Sequence, residues 1–159
     1  MSKISSALGS KFQENKLSIL TRTFELGNHT FKVRVPSVKE IEDIYDFFKN
    51  PDEDKVNEIY NELTKDLLKY KSEAPDTIEY KDDDIIVEGR SIKEAAKNKC
   101  AMQNRIVEYI KFLIPESGQS LDDLEYKDVE DEFPLAVQIA LVDKINEVIS
   151  PDYKEVKSK

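Results

Sequence analysis

The residue types that build most active sites and metal sites are scarce in this chain. Its 159 residues include one cysteine, Cys100, one histidine, His29, and no tryptophan. One cysteine cannot form a disulfide within the chain, and one cysteine with one histidine cannot build a standard zinc site. We therefore predict a reducing compartment, no metal or other cofactor, a structural role for Cys100, and no histidine-assisted nucleophile.

Glycine, proline and long apolar runs are also scarce. The four glycines are too scattered for a phosphate-binding loop, and with only six prolines the chain has few breaks, so we expect long helices. No stretch approaches the roughly 18 apolar residues of a membrane span. The segment Met1 to Asn15 lacks a signal-peptide apolar run. These absences predict a protein of the cytoplasm that does not associate with membranes.

Acidic residues, by contrast, are abundant. The chain has 33 aspartates and glutamates against 24 lysines and arginines, a formal net charge of −9. Such a field repels nucleic acid, because binding to phosphates needs a cationic face. The same field favours basic protein partners.

The first ordered element predicted by the sequence is a β-hairpin. Apolar and polar residues alternate in Thr23–Leu26 and again in Thr30–Val35, and Gly27 and Asn28 between them tolerate the positive φ of a tight turn. Residues 77–80 and 85–88 are candidates for a second, short hairpin. Asp82–Asp84 between them is expected to be a solvated turn.

Helices fill most of the remaining sequence. Ser37 with Glu40, and Ser91 with Glu94, have the spacing of capping boxes, which predicts helix starts there. The second of these helices is predicted to run to about Ile114, before Pro115. The final helix is predicted to begin at Val129 or Phe133 and to end at Ile149.

The predicted fold class is α+β: a mainly helical domain with an N-terminal β-hairpin. Residues 1–20 are predicted to be a flexible N-terminal arm, in which a helical turn can form near Phe12 and Leu17. Residues 21–150 are predicted to form a single domain, and residues 151–159 a flexible C-terminal tail.

The final helix is the strongest functional clue because its apolar residues form two stripes. One stripe is Phe133, Val137, Leu141, Ile145 and Val148, and the other is Leu135, Ile139, Val142 and Ile149. A surface helix needs only one apolar stripe. Either the helix is central in the core, or one stripe faces the core and the other a partner. The candidate protein-binding residues are Phe133, Leu135, Val137, Ile139, Leu141, Val142, Ile145 and Ile149.

Two segments resemble a phage tail assembly chaperone of long-tailed phages. The first is the hairpin followed at once by a capped acidic helix, Phe24 to Glu40, and the second is the acidic stretch that leads into the apolar helix, Glu130 to Val142. Together they cover under half of the chain. The segment from Ile78 to Val87 has no counterpart in that family.

The resemblance implies a non-enzymatic function in virion assembly in the host cytoplasm. A family member binds the hydrophobic tape measure protein, keeps it in solution, helps to recruit tail tube subunits, and tends to self-associate as a homo-oligomer. The family has no catalytic residues to transfer.

Two alternatives remain open at this stage. One is a structural tail or connector (completion) subunit of the virion, in which the hairpin edge pairs with a neighbouring subunit. The other is an enzyme or regulator that uses dispersed carboxylates, which would require a deep pocket with coupled acidic groups.

Overall fold

The computed structural model of the chain describes residues 3–69, 71 and 76–150, so the tail predicted for residues 151–159 lies outside the described part. The predicted α+β class, mainly helical with an N-terminal hairpin, is confirmed. The helices are α1 (Lys3–Leu8), α2 (Ser10–Ile19), α3 (Val38–Lys49), α4 (Glu53–Lys69), α5 (Ile92–Ile110), α6 (Tyr126–Glu132) and α7 (Leu135–Ile149). The strands are β1 (Thr21–Leu26), β2 (His29–Arg34), β3 (Ile78–Tyr80), β4 (Ile85–Val87) and β5 (Arg90–Ser91).

The chain divides into two compact units, and the single domain expected for residues 21–150 stays a prediction. The first comprises the described residues of 1–41 and 106–159, and the second those of 42–105. The second unit has its own apolar cluster, in which Val56, Ala96 and Cys100 are buried and Ile59 and Tyr60 pack against them. A separate core of this kind makes the inserted segment compact by itself.

In the first unit, the predicted hairpin is confirmed, and it begins two residues earlier than expected. β1 and β2 pair antiparallel around Gly27 and Asn28, whose φ angles are +59° and +66°. Two positive φ values in succession match the twist of a two-residue hairpin loop. Helix α7 contacts both strands and covers the sheet, and Val33 of β2 is completely buried.

Helix α5 ends at Ile110, four residues earlier than predicted. The reason is a long-range contact: Leu113 forms a β-bridge with Val33, and the Ile114 N–H donates to the Lys32 carbonyl at 2.8 Å. These residues extend the hairpin sheet on its β2 side. Sequence periodicity cannot reveal such a partner, which lies about eighty residues away in the sequence.

The arm predicted for residues 1–20 contains two helices, α1 and α2, separated by Gly9 with φ +87°. Both helices are polar overall, but they contain apolar side chains that are more than half exposed. They are Ile4, Leu8, Leu17 and Ile19. The helical structure is thus more extensive than the predicted turn near Phe12 and Leu17, and the flexibility of the arm stays a prediction.

In the second unit, the short hairpin of β3 and β4 is confirmed and gains a third strand, β5, after a turn at Glu88 and Gly89. The expectation of a solvated Asp82–Asp84 turn was wrong for its last residue. Asp84 is half-buried, and its carboxylate accepts the Ile85 N–H at 2.7 Å, the Lys93 N–H at 2.9 Å and the Ser91 hydroxyl.

Candidate protein-binding surface

Helix α7 buries a single face, which corrects the two-stripe interpretation. The buried residues Gln138, Leu141, Val142 and Ile145 are spaced at i, i+3, i+4 and i+7. At 3.6 residues per turn these positions fall on one side of the helix. Val142, from the second stripe, is therefore buried beside Leu141 and Ile145 from the first.

The eight candidate binding residues divide accordingly. Leu141, Val142 and Ile145 are buried in the core, while Val137 and Ile149 are half-buried. Leu135, Ile139 and Phe133 have 50%, 47% and 37% of their surface exposed. We call these last three residues the α7 patch. Leu135 and Ile139, one helical turn apart, lie on the same side of α7.

A buried glutamine connects α6 to the start of α7, beside the α7 patch. The Gln138 side chain is 2% exposed; its Nε2 donates to the Phe133 carbonyl at 2.8 Å, and its Oε1 accepts the Tyr126 hydroxyl at 2.9 Å. Buried amides need such partners, because an unpaired polar group in the core is costly. Gln138 thus ties α6, the α6–α7 connection and α7 together. A lone polar residue within an apolar run was the available sequence signal.

A groove of about 590 Å³ adjoins the patch and shares Phe133 with it. Its lining includes the buried Ile110 and Val129, the half-buried Leu121 and Leu124, and the exposed Phe133. The volume is in the range of sites that hold small ligands or a few large side chains. Sequence analysis missed this groove, because α5, the following loop and α6 all contribute to it.

The rim of the groove is acidic. Asp123, Asp128 and Glu132 line it, and all three are exposed. The segment from Asp122 to Glu132 has seven acidic residues and one basic residue, Lys127. Acid–base catalysis by carboxylates relies on desolvated or closely coupled groups. Asp123, Asp128 and Glu132 are exposed instead, and they form a charged border beside the apolar lining of the groove.

One of these carboxylates also has a structural function. Asp128 Oδ2 accepts the Glu125 N–H at 3.0 Å and completes the capping box at the start of α6. The start of α3 is capped in the same way, as predicted: the Glu40 N–H donates to Ser37 Oγ at 3.2 Å, and the Ser37 N–H donates to Glu40 at 3.4 Å.

The second unit has an apolar pocket of its own, of about 440 Å³. Tyr45 and Phe48 of α3 and Ala101 and Met102 of α5 line it. Tyr45 and Met102 are 47% and 39% exposed.

Elsewhere in this unit, Cys100 is 1% exposed, and burial raises the pKa of its thiol, so the thiolate that would act as a nucleophile is disfavoured.

The described residues contain neither a cluster of metal-ligating side chains nor a membrane-spanning helix. In that part of the chain, no three His, Cys, Asp or Glu side chains are grouped so that they could hold a metal ion. None of the described helices has the length and apolarity that a bilayer crossing requires.

Comparison with family models, curated proteins and solved structures gives no match to this chain.

Proposed function

We propose that the chain is a non-enzymatic phage tail assembly chaperone that binds the tape measure protein in the host cytoplasm and helps to recruit tail tube subunits. The single observation that supports protein binding best is the α7 patch. Leu135 and Ile139 are about half exposed in a helix whose other large apolar residues are buried or half-buried. Contiguous exposed apolar residues beside a groove are typical of an interaction surface.

The proposed mechanism is shielding. An apolar helix of the tape measure protein lies on the α7 patch and places side chains in the groove, which removes them from water. The net charge of −9 keeps the resulting complex dispersed, since molecules of like charge repel each other. The choice of partner comes from the resemblance of Phe24 to Glu40 and Glu130 to Val142 to that family.

Co-expression with a tape measure protein tests this function. We expect the wild-type chain to raise the soluble fraction of the tape measure protein and to co-purify with it. The double variant Leu135→Asp/Ile139→Asp is expected to fold, because both positions are exposed, and to lose both effects. The matched control Glu14→Gln/Glu25→Gln changes two exposed residues that lie outside the patch and the groove, and it is expected to act like the wild type.

Two results would refute the chaperone proposal. One is a tape measure protein whose solubility the wild-type chain leaves unchanged. The other is a folded Leu135→Asp/Ile139→Asp variant, checked by circular dichroism, that protects the tape measure protein as well as the wild type does.

A structural tail or connector subunit is the second candidate, and one observation favours it. In the hairpin sheet of the described residues, β1 pairs with β2 alone, so β1 is an edge strand. An edge strand can add a strand from a neighbouring subunit. Presence of the chain in finished virions, detected by mass spectrometry, would support this candidate, whereas a chaperone is absent from them.

A further inference from the structure

We infer that the segment held by the α7 patch and its groove is a cationic amphipathic helix, with apolar residues on one face and lysine or arginine beside them. This inference rests on the proposed function and specifies the chemistry of the partner. The apolar lining alone would bind any apolar segment. The charges that border the lining determine which apolar segment binds.

The apolar part of the site suits a helix. Leu135 and Ile139 lie one turn apart on α7, and Phe133 connects them to the groove. A partner helix with apolar residues at i and i+4 presents side chains at the same spacing. The groove, of about 590 Å³, is large enough to accept such apolar side chains.

The polar part of the site selects positive charge. Asp123 and Glu132 are exposed at the rim, and Asp128 adds a third carboxylate. An anionic helix would bring like charges together at this border and lose affinity. A cationic helix would form ion pairs there, and the field of the acidic segment would speed its approach.

Two model peptides of about four helical turns test the inference directly. Both have leucines at the same i, i+3, i+4 and i+7 positions, and the remaining positions are lysine in one and glutamate in the other. Fluorescence anisotropy with the full chain gives their dissociation constants. At an ionic strength of about 0.15 M, we expect the leucine–lysine peptide to bind at least about tenfold more tightly.

Matched charge variants separate the groove from the general field of the molecule. Asp123→Asn/Glu132→Gln removes two rim charges and leaves Asp128, which caps α6. We expect roughly fivefold weaker binding of the leucine–lysine peptide. The variant Glu14→Gln/Glu25→Gln removes the same number of charges at exposed positions that belong neither to the groove nor to the α7 patch, so the net charge changes equally, and we expect a change below about twofold.

Several results would overturn the inference. Equal affinity for the two peptides shows that the site ignores charge, which leaves the proposed binding of apolar helices intact. Equal weakening by the two variants shows non-specific attraction. A dimer of the chain alone, detected by sedimentation and dissociated by the leucine–lysine peptide, shows that a second copy occupies the groove. Binding of neither peptide also contradicts it, and co-expression with the tape measure protein then decides the proposed function separately.

Discussion

Asp84 links two elements of the second unit through one carboxylate. Oδ1 accepts the backbone N–H groups of Ile85 in β4 and Lys93 in α5, and Oδ2 accepts the Ser91 hydroxyl. Partial desolvation opposes ionisation, but these hydrogen bonds and the Lys93 ammonium outweigh it and hold the pKa of Asp84 below its ordinary value. A carboxylate whose pKa is lower in the folded state stabilises that state when it is ionised.

We expect Asp84→Asn to lower the free energy of unfolding by about 1–2 kcal/mol at neutral pH, because the amide has one acceptor oxygen instead of two and no charge. The stabilisation by Asp84 is present above the pKa of the unfolded chain and is lost as the pH falls through the lower pKa of the folded chain. The difference between wild type and variant is therefore expected to shrink on acidification. Urea denaturation at about pH 7 and about pH 3 measures it.

The neighbouring aspartate provides the control. Asp83 is exposed on the same turn, and Asp83→Asn is expected to change stability by less than about 0.5 kcal/mol. Equal destabilisation by the two variants, or an Asp84→Asn effect that grows on acidification, would contradict this function of Asp84.

Capping residues show how far sequence analysis reaches at this scale. The Ser37–Glu40 box was predictable because its partners lie three positions apart. The function of Asp84 at the start of α5 was not, because its acceptor atoms meet Ser91 and Lys93 only after β4 and β5 have paired. Sequence shows three consecutive aspartates without showing which of them points inward.

At the scale of the element, α7 combines a buried face with an exposed patch. The hydrophobic pattern alone predicted an apolar helix correctly, and the structure confirms its end at Ile149. It could not predict which residues are covered, because that depends on where the hairpin sheet packs. Leu141 and Ile145 are buried in the helix that packs on the hairpin sheet, whereas Leu135, in the first turn of that helix, is half exposed.

Two identical substitutions in α7 test this division. Leu141 is 2% exposed and Leu135 is 50% exposed. We expect Leu141→Ala to lower the free energy of unfolding by about 2–5 kcal/mol through lost burial and a cavity, and Leu135→Ala to lower it by less than about 1 kcal/mol. Urea denaturation of both variants gives the comparison. Similar losses in the two variants would mean that α7 is enclosed along its whole length.

At the scale of the whole molecule, the proposed binding surface is assembled from several consecutive elements between Ile110 and Ile139. Ile110 ends α5, Leu121 and Leu124 belong to a loop, Val129 lies in α6, and Phe133 leads into α7. Sequence periodicity reports on each helix separately, so it predicted the apolar helix α7 but neither its exposed residues nor the groove. The acidic stretch near Phe133 could be read from the sequence. Its position beside the apolar lining of the groove could be seen only in the folded structure.

The overall charge and the apolar patch act in complementary ways in the proposed chaperone. An acidic surface limits non-specific association, while the apolar patch supplies the free energy of binding. Burial of the patch against a partner must therefore leave a thermodynamic signature of apolar surface removed from water, which is a negative change in heat capacity.

Calorimetric titration of a tape measure fragment into the chain at several temperatures tests the central claim most directly. We predict saturable binding with a negative heat-capacity change, and a single substitution, Ile139→Asp, that preserves the fold and weakens binding by at least about tenfold. A heat-capacity change near zero, or an affinity that Ile139→Asp leaves unaltered, would contradict the claim that α7 presents the binding surface.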